Sequence, residues 1–197
     1  MMVMKEWIKE FIGSKIINSI EEAAFFTTFA GDNMPRNERK FEIMIKILFV
    51  CWGNICRSTM AESVMTFLVK EAGLESCIEI NSAATSREEI GNPPHYGTVN
   101  KLREKHIPVI PHRATQMTRA DYAYYDYLIG MDSINIRYMN NIAGGDPEGK
   151  IYKLLPIAGI SRDVADPWYT GDFQETYEDV MTGCKALLKL LVEKHFS

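Results

Sequence analysis

The sequence predicts an α/β domain built on a parallel four-stranded sheet. Three observations carry that expectation. From residue 44 onward, short apolar runs alternate with amphipathic stretches, the pattern of strands separated by helices. Strands joined through helices run parallel, with right-handed crossovers. Hydrophobic residues make up 46% of the 197 residues and charged ones 24%, with no repeat or low-complexity tract, which excludes a disordered, collagen-like or coiled-coil chain.

Each element has its own reason. Residues 45–50 (Ile-Lys-Ile-Leu-Phe-Val) form an apolar run rich in strand formers, ending in a glycine-containing turn, and read as a buried strand. Residues 59–72 read as a helix stopped by Gly73. Residues 78–82 are a second strand, and Asn92-Pro93-Pro94 marks a loop. Residues 96–105 are helical in pattern, 126–131 a third strand and 151–155 a fourth. Residues 172–196 form a closing helix, with Tyr177, Val180, Leu187 and Leu191 among its apolar positions.

Residues 1–43 do not share this rhythm. Trp7, Ile8, Phe11, Ile12, Ile16 and Ile20 fall at helical spacing, so residues 4–24 suit an amphipathic helix. Residues 31–40 are polar and linker-like. The chain thus divides into an N-terminal extension, 1–43, helical and then linker, and a domain at 44–197. The extension has two readings: a docking helix giving a homo-oligomer, or an upstream segment without a role, Met44 being a second candidate start.

Charge and composition narrow the partners. With 22 basic and 26 acidic residues the net charge is −4, which disfavours nucleic acid and anionic membranes. No apolar run reaches the roughly 18 residues a membrane span needs. Lys5, Glu6, Lys9 and Glu10 interrupt what a secretion signal would keep apolar, so the expected compartment is the cytoplasm. Four cysteines are too few for a disulfide scaffold, and no Cys or His pairs have metal-ligand spacing; neither metal nor cofactor is expected.

The chemistry concentrates at Cys51-Trp52-Gly53-Asn54-Ile55-Cys56-Arg57-Ser58, between the first strand and the first helix. At the carboxyl end of a strand in such a sheet ligands bind in the crevice. A loop entering a helix N-terminus aims several N–H groups at one spot, where the helix dipole favours an anion, most naturally phosphate. Trp52, Gly53, Asn54, Ile55, Cys56 and Ser58 would wrap that anion. The same field stabilises a thiolate, which makes Cys51 a nucleophile. Arg57 offers a planar fork for two phosphate oxygens. Gly53 permits a close approach or a positive φ, while Asn54 and Ser58 can brace the loop. A thiolate facing a phosphate ester implies in-line attack and a phosphocysteine intermediate. The leaving alcohol needs a proton, and Asp166-Pro167-Trp168-Tyr169 provides an acid on a stiffened loop, with two aromatics to flank an aromatic substrate.

These residues resemble a low-molecular-weight protein tyrosine phosphatase. The resemblance covers residues 44–197: the C-x5-R loop, Asn81 to Ser86 followed by Gly91-Asn92-Pro93-Pro94, the Gly130-Met131-Asp132 strand end, and the late Asp166-Pro167 loop. It implies a doubly wound three-layer sandwich with the phosphate-binding loop after the first strand. It implies a phosphotyrosine protein as substrate, Cys51 as nucleophile, Arg57 as phosphate clamp and Asp166 as general acid. Asn54, Ser58, Ser82 and Ser86 would form a supporting network, with His112 and Asp132 a pair behind the site and His106 a structural histidine. It implies too that Cys56 can form a protective disulfide with Cys51. Thr59, Trp52 and Trp168 depart from the commonest pattern without removing a catalytic group.

Three other functions compete. Arsenate reduction needs relay cysteines, and none lies between Met131 and Cys184. Arginine phosphatases of this type carry Thr where this chain has Ile55. A catalytically idle phosphate-binding module would not need Cys51, Arg57 and Asp166 together.

Overall fold

The computed structural model describes residues 44–196. The helix and linker expected over 1–43, and oligomerisation through them, lie outside the described residues. The elements run β1 (Ile45–Cys51), α1 (Arg57–Glu71), β2 (Ile78–Ala84), α2 (Tyr96–Glu104), α3 (Arg119–Tyr124), β3 (Tyr127–Gly130), α4 (Ser133–Ala143), β4 (Ile151–Lys153), α5 (Leu154–Ile157), α6 (Pro167–Thr170) and α7 (Phe173–His195). The strands form one parallel sheet in the order β2-β1-β3-β4. Among the described residues no helix is long and apolar enough to cross a membrane.

The period of two in β1 builds both outer layers. Ile45, Ile47, Phe49 and Cys51 pack with Met60, Val64 and Leu68 of α1 and Cys184, Leu187 and Leu191 of α7. Leu48 and Val50 face the other way, toward Tyr122 of α3, Leu128, and Met139 and Ala143 of α4. Helices therefore cover both faces of the sheet, as right-handed crossovers leaving β1 in opposite directions require. The sense of winding reverses beside β1, so a crevice opens at the carboxyl ends of β1 and β3.

α1 lies between the sheet and α7 and buries residues all round, from Arg57 and Ser58 to Leu68 and Val69. Gly73, at φ +69, turns the chain out of it. Three helices lie outside the elements expected from the sequence, two in stretches left unassigned and one in the expected Asp166–Tyr169 loop. α3 opens on a reciprocal Thr118–Asp121 capping box. α4 opens on Asp132, whose side chain accepts the Asn135 N–H, and closes on Gly144 at φ +82. Asp166 caps α6, with Pro167 in its first turn. The expected fourth strand is shorter, because Leu154 and Leu155 belong to α5. A short buried apolar run does not distinguish strand from helix by period.

Gly183 marks the closest approach of α7 to α5. A methyl group there would run into Leu154 Cγ and stand 2.8 Å from Leu154 Cδ1, on a side chain with no exposed surface to yield into. Gly183→Ala should therefore destabilise the domain by about 1–2 kcal/mol, the overpacking cost outweighing the gain in helix propensity. Urea unfolding would read the shift.

Candidate active site

β1 delivers Cys51 to the floor of the crevice, and its loop bends at once into α1. The loop carbonyls are drawn outward. Cys51 O accepts from Thr85 N at 2.8 Å, Trp52 O from Ser86 N at 3.0 Å, and Ile55 O from His95 N at 2.8 Å. Cys56 O accepts from Met60 N and from the hydroxyls of Thr59 and Thr98. The N–H groups of Gly53, Ile55, Cys56, Arg57 and Ser58 take no backbone acceptor among the described residues. Cys56 at the N-cap of α1 makes no side-chain cap, and the first turn carries no acid. Several donors and the positive end of a helix dipole are thus left for an anion.

The loop closes through Asn54, fully buried and at φ +58, a left-handed conformation that Asn tolerates better than most residues. The positive φ is here and not at Gly53. What Gly53 provides is room: a Cβ there would meet Glu89 Cγ at 3.0 Å. The Asn54 amide donates to Ser58 Oγ at 3.0 Å and to Ser82 Oγ at 2.8 Å. Its Oδ1 accepts from Thr115 N at 3.1 Å and lies 2.7 Å from His112 Nε2. Ser58 Oγ, which accepts from Asn54, stands 3.1 Å from Cys51 Sγ, with its own hydrogen in reach of the sulfur. Asn54 N–H donates to the same sulfur at 3.3 Å. The Asn54 N–H and the Ser58 hydroxyl thus converge on the sulfur.

Arg57, 3% exposed, divides its fork between two carboxylates. Nη1 reaches Asp132 Oδ2 and Nη2 reaches Asp166 Oδ2, each at 2.6 Å. Its charge is held by Cys51 and both carboxylates, which together raise its pKa against the effect of burial. Asp132 Oδ1 accepts from Asn135 N at 2.6 Å, and Asp166 Oδ1 from Trp168 N at 3.1 Å, so both acids also cap helices.

Cys51, Arg57 and Asp166 meet in one cavity of about 160 Å³. Trp52, Glu88 and Glu89 form one wall, Ile55 and Cys56 another, and Trp168 and Tyr169 the rim. Trp52 is fixed by Glu88 Oε2, 2.9 Å from its Nε1, and by the edge of Tyr138. Trp168 and Tyr169 are exposed. Cys51 and Cys56 are free thiols, and burial, with the negative Cys51 beside it, pushes Cys56 up to about 12.

Two expected supports are arranged differently. Ser86 does not join the Asn54 network: its hydroxyl accepts from Glu88 N at 3.4 Å in its own turn, and only its backbone N–H holds the loop. His112 and Asp132 do not pair, because Asp132 belongs to Arg57 and His112 to Asn54. His106 is exposed, at φ +56 in the turn after α2. Glu62 is the network member that sequence reasoning missed. Its Oε2 accepts from Ser82 Oγ at 2.6 Å and lies 3.3 Å from His112 Nδ1. The available signal was an acid four residues after Ser58, hence on the same face of α1.

The family model for low molecular weight phosphotyrosine protein phosphatase matches residues 46–196. The low molecular weight protein-tyrosine-phosphatase YfkJ of Bacillus subtilis is 43% identical over 147 residues, which cover 74% of this chain and 94% of that protein. The crystal structure of YfkJ superposes with a TM-score of 0.75 at 41% identity, covering 77% of this chain and 97% of its own. The low molecular weight protein tyrosine phosphatase SP-PTP of Streptococcus pyogenes matches at a TM-score of 0.69 and 40% identity, over 78% of this chain and all of its own. The chain belongs to the low molecular weight phosphotyrosine protein phosphatase family.

Proposed function

We propose that this chain, a phosphoric monoester hydrolase by family, removes phosphate from phosphotyrosine in proteins through a phosphocysteine intermediate. The observation that carries the reading is Cys51 Sγ, held between the Asn54 N–H and the Ser58 hydroxyl in the cavity that Arg57 and Asp166 also line. An incoming phosphate dianion takes the open N–H groups of the loop and displaces Asp166 from Arg57 Nη2, leaving Asp132 to hold Nη1. The Cys51 thiolate then attacks phosphorus in line. The S–P bond forms, the P–O bond to the phenol breaks, and Asp166 gives its proton to the leaving oxygen. In the second half Asp166 takes a proton from water, which attacks phosphorus and expels the thiolate. Ser58 and the Asn54 N–H receive the returning charge.

Phosphotyrosine suits the walls. Ile55 packs in a small apolar cluster with Cys56 and Ala114, against Phe173, and Trp168 and Tyr169 stand exposed at the mouth to flank a ring. The reading keeps residues 44–197 as the catalytic unit and places the work in the cytoplasm, where four free thiols, as here, are the expected state. Peptides carrying phosphotyrosine, phosphoserine or phosphoarginine, assayed side by side, test the specificity; preference for phosphoarginine would overturn it.

Glu62 and His112 make the support pH-sensitive. The Thr115 N–H fixes the Asn54 oxygen, so His112 donates from Nε2 and turns Nδ1 to Glu62. A neutral His112 then presents Nδ1 as an acceptor to the Glu62 carboxyl when that carboxyl is protonated. Burial pushes Glu62 up from 4.5 to about 7 and His112 down. A carboxyl whose folded pKa is raised stabilises the fold fully below its unfolded value, and that contribution is lost as pH rises to the folded one.

Four outcomes are expected. Cys51→Ser should show no hydrolysis of p-nitrophenyl phosphate, Asp166→Ala should lose ~100-fold or more in turnover, and EDTA should change neither wild type nor variant. In urea unfolding, wild type should lose stability relative to Glu62→Gln as pH rises from 4.5 to about 7, the window set by Glu62 itself.

A further inference from the structure

The backbone that carries Asp166 is held from one helix. Ala165, the residue before it, has both of its backbone polar groups taken by α7. Its N–H donates to Asp179 Oδ2 at 3.0 Å, and its C=O accepts from the Thr176 hydroxyl at 3.0 Å. Thr176 and Asp179 are three residues apart, on one face of the helix, and both are buried. Thr176 Oγ1 also lies 3.1 Å from Asp172 O, one turn back. One residue further from the acid, Val164 N–H donates to Met131 O at 3.0 Å and ties the segment to the end of β3.

Asp179 is an expensive residue to bury, and its neighbours Val180 and Gly183 show that α7 is otherwise apolar on its inner side. Its charge is balanced by Arg162, which grips both oxygens, with Nη1 at 2.6 Å from Oδ2, while remaining half exposed itself. Such a pair adds little stability over well-packed apolar side chains. What an apolar side chain could not do is accept the Ala165 N–H. Neither Asp179 nor Thr176 lines the cavity. Beyond Ala165, and apart from the Arg57 pair that phosphate displaces, the acid is supported by its cap of α6, a helix of four residues with an exposed Trp168 and Tyr169.

We propose that Asp179 and Thr176 are positioning residues for the general acid, clamping Ala165 so that the Asp166 carboxyl stands over the phosphate site, with Arg162 orienting Asp179. This rests on the reading of Asp166 as the acid. Misplacement by about 1 Å is enough to cost roughly 100-fold in a proton transfer or attack. In kcat/KM, which covers the steps through phosphocysteine formation, the clamp is felt through the protonation of the leaving group. A change in it should therefore be felt by leaving groups that need a proton and ignored by those that do not.

The experiment uses the full chain and kcat/KM on two aryl phosphates, phenyl phosphate and 2,4-dinitrophenyl phosphate, whose leaving phenolate needs no proton. Asp179→Ala takes the acceptor from the Ala165 N–H and the carboxylate from Arg162. Asp179→Ala and Thr176→Val should lose roughly ten- to hundredfold on phenyl phosphate and less than about threefold on the dinitrophenyl ester, with Thr176→Ser restoring the wild-type ratio. Partial unfolding lowers both substrates alike, so the ratio is immune to it. An unchanged ratio in both variants, or Thr176→Ser behaving as Thr176→Val, overturns the clamp. Asp166→Asn is the reference. A selective loss there with an unchanged ratio at 176 and 179 rejects only the clamp; no selective loss there rejects the acid itself and the clamp with it.

Discussion

The amide of Asn54 cannot be turned over. Its oxygen faces the Thr115 N–H, a group that can only donate, so its nitrogen must face Ser58 and Ser82. Every proton beneath the loop then has one direction. Ser82 gives its hydrogen to Glu62, Ser58 keeps its own available to Cys51, and His112 donates from Nε2. The same residue holds the only positive φ in the loop, at +58. One side chain thus sets the backbone turn that opens the anion cradle and the polarity that prepares the sulfur.

Above the loop the organising group is Arg57. A buried guanidinium is tolerable only with partners, and here both arms have one. Asp132 comes from the end of β3 and Asp166 from the start of α6, so the arginine links three separate carboxyl-end connections of the sheet. The two acids are not equivalent. Asp132 is tied down by capping an eleven-residue helix, whereas Asp166 caps one of four residues. The partner that has to give way to phosphate is the one on the shorter tether.

Most of the fold was legible because it rests on local periodicity. β1 and α7 announce themselves by apolar runs, and the loop between β1 and α1 by Gly53, Asn54 and Arg57 in a strand-to-helix context. α3 and α4 were passed over although Thr118, Asp121 and Gly144 carried their caps and Ile136, Met139 and Ala143 of α4 fall at helical spacing. β4 was overextended because burial hides the period of Leu154 and Leu155. At the site, Cys51, Arg57 and Asp166 were visible as chemistry. Glu62, Asp179 and Thr176 were not, since what defines them is a partner 20, 14 and 11 residues away in sequence, chosen by packing and not by spacing. His112 and Asp132 were recognised as supports but given the wrong partners for the same reason.

α1 is buried along most of its length, Lys70 being its one exposed residue. Its first turn holds Arg57 and Ser58, its second holds Glu62, and the residues between and beyond them fill the space between the sheet and α7. The cradle and the hydrophobic core are therefore not two structures joined by a hinge; they are faces of one helix. Opening the loop at its α1 end therefore disturbs the packing of the core, and the two are expected to melt together.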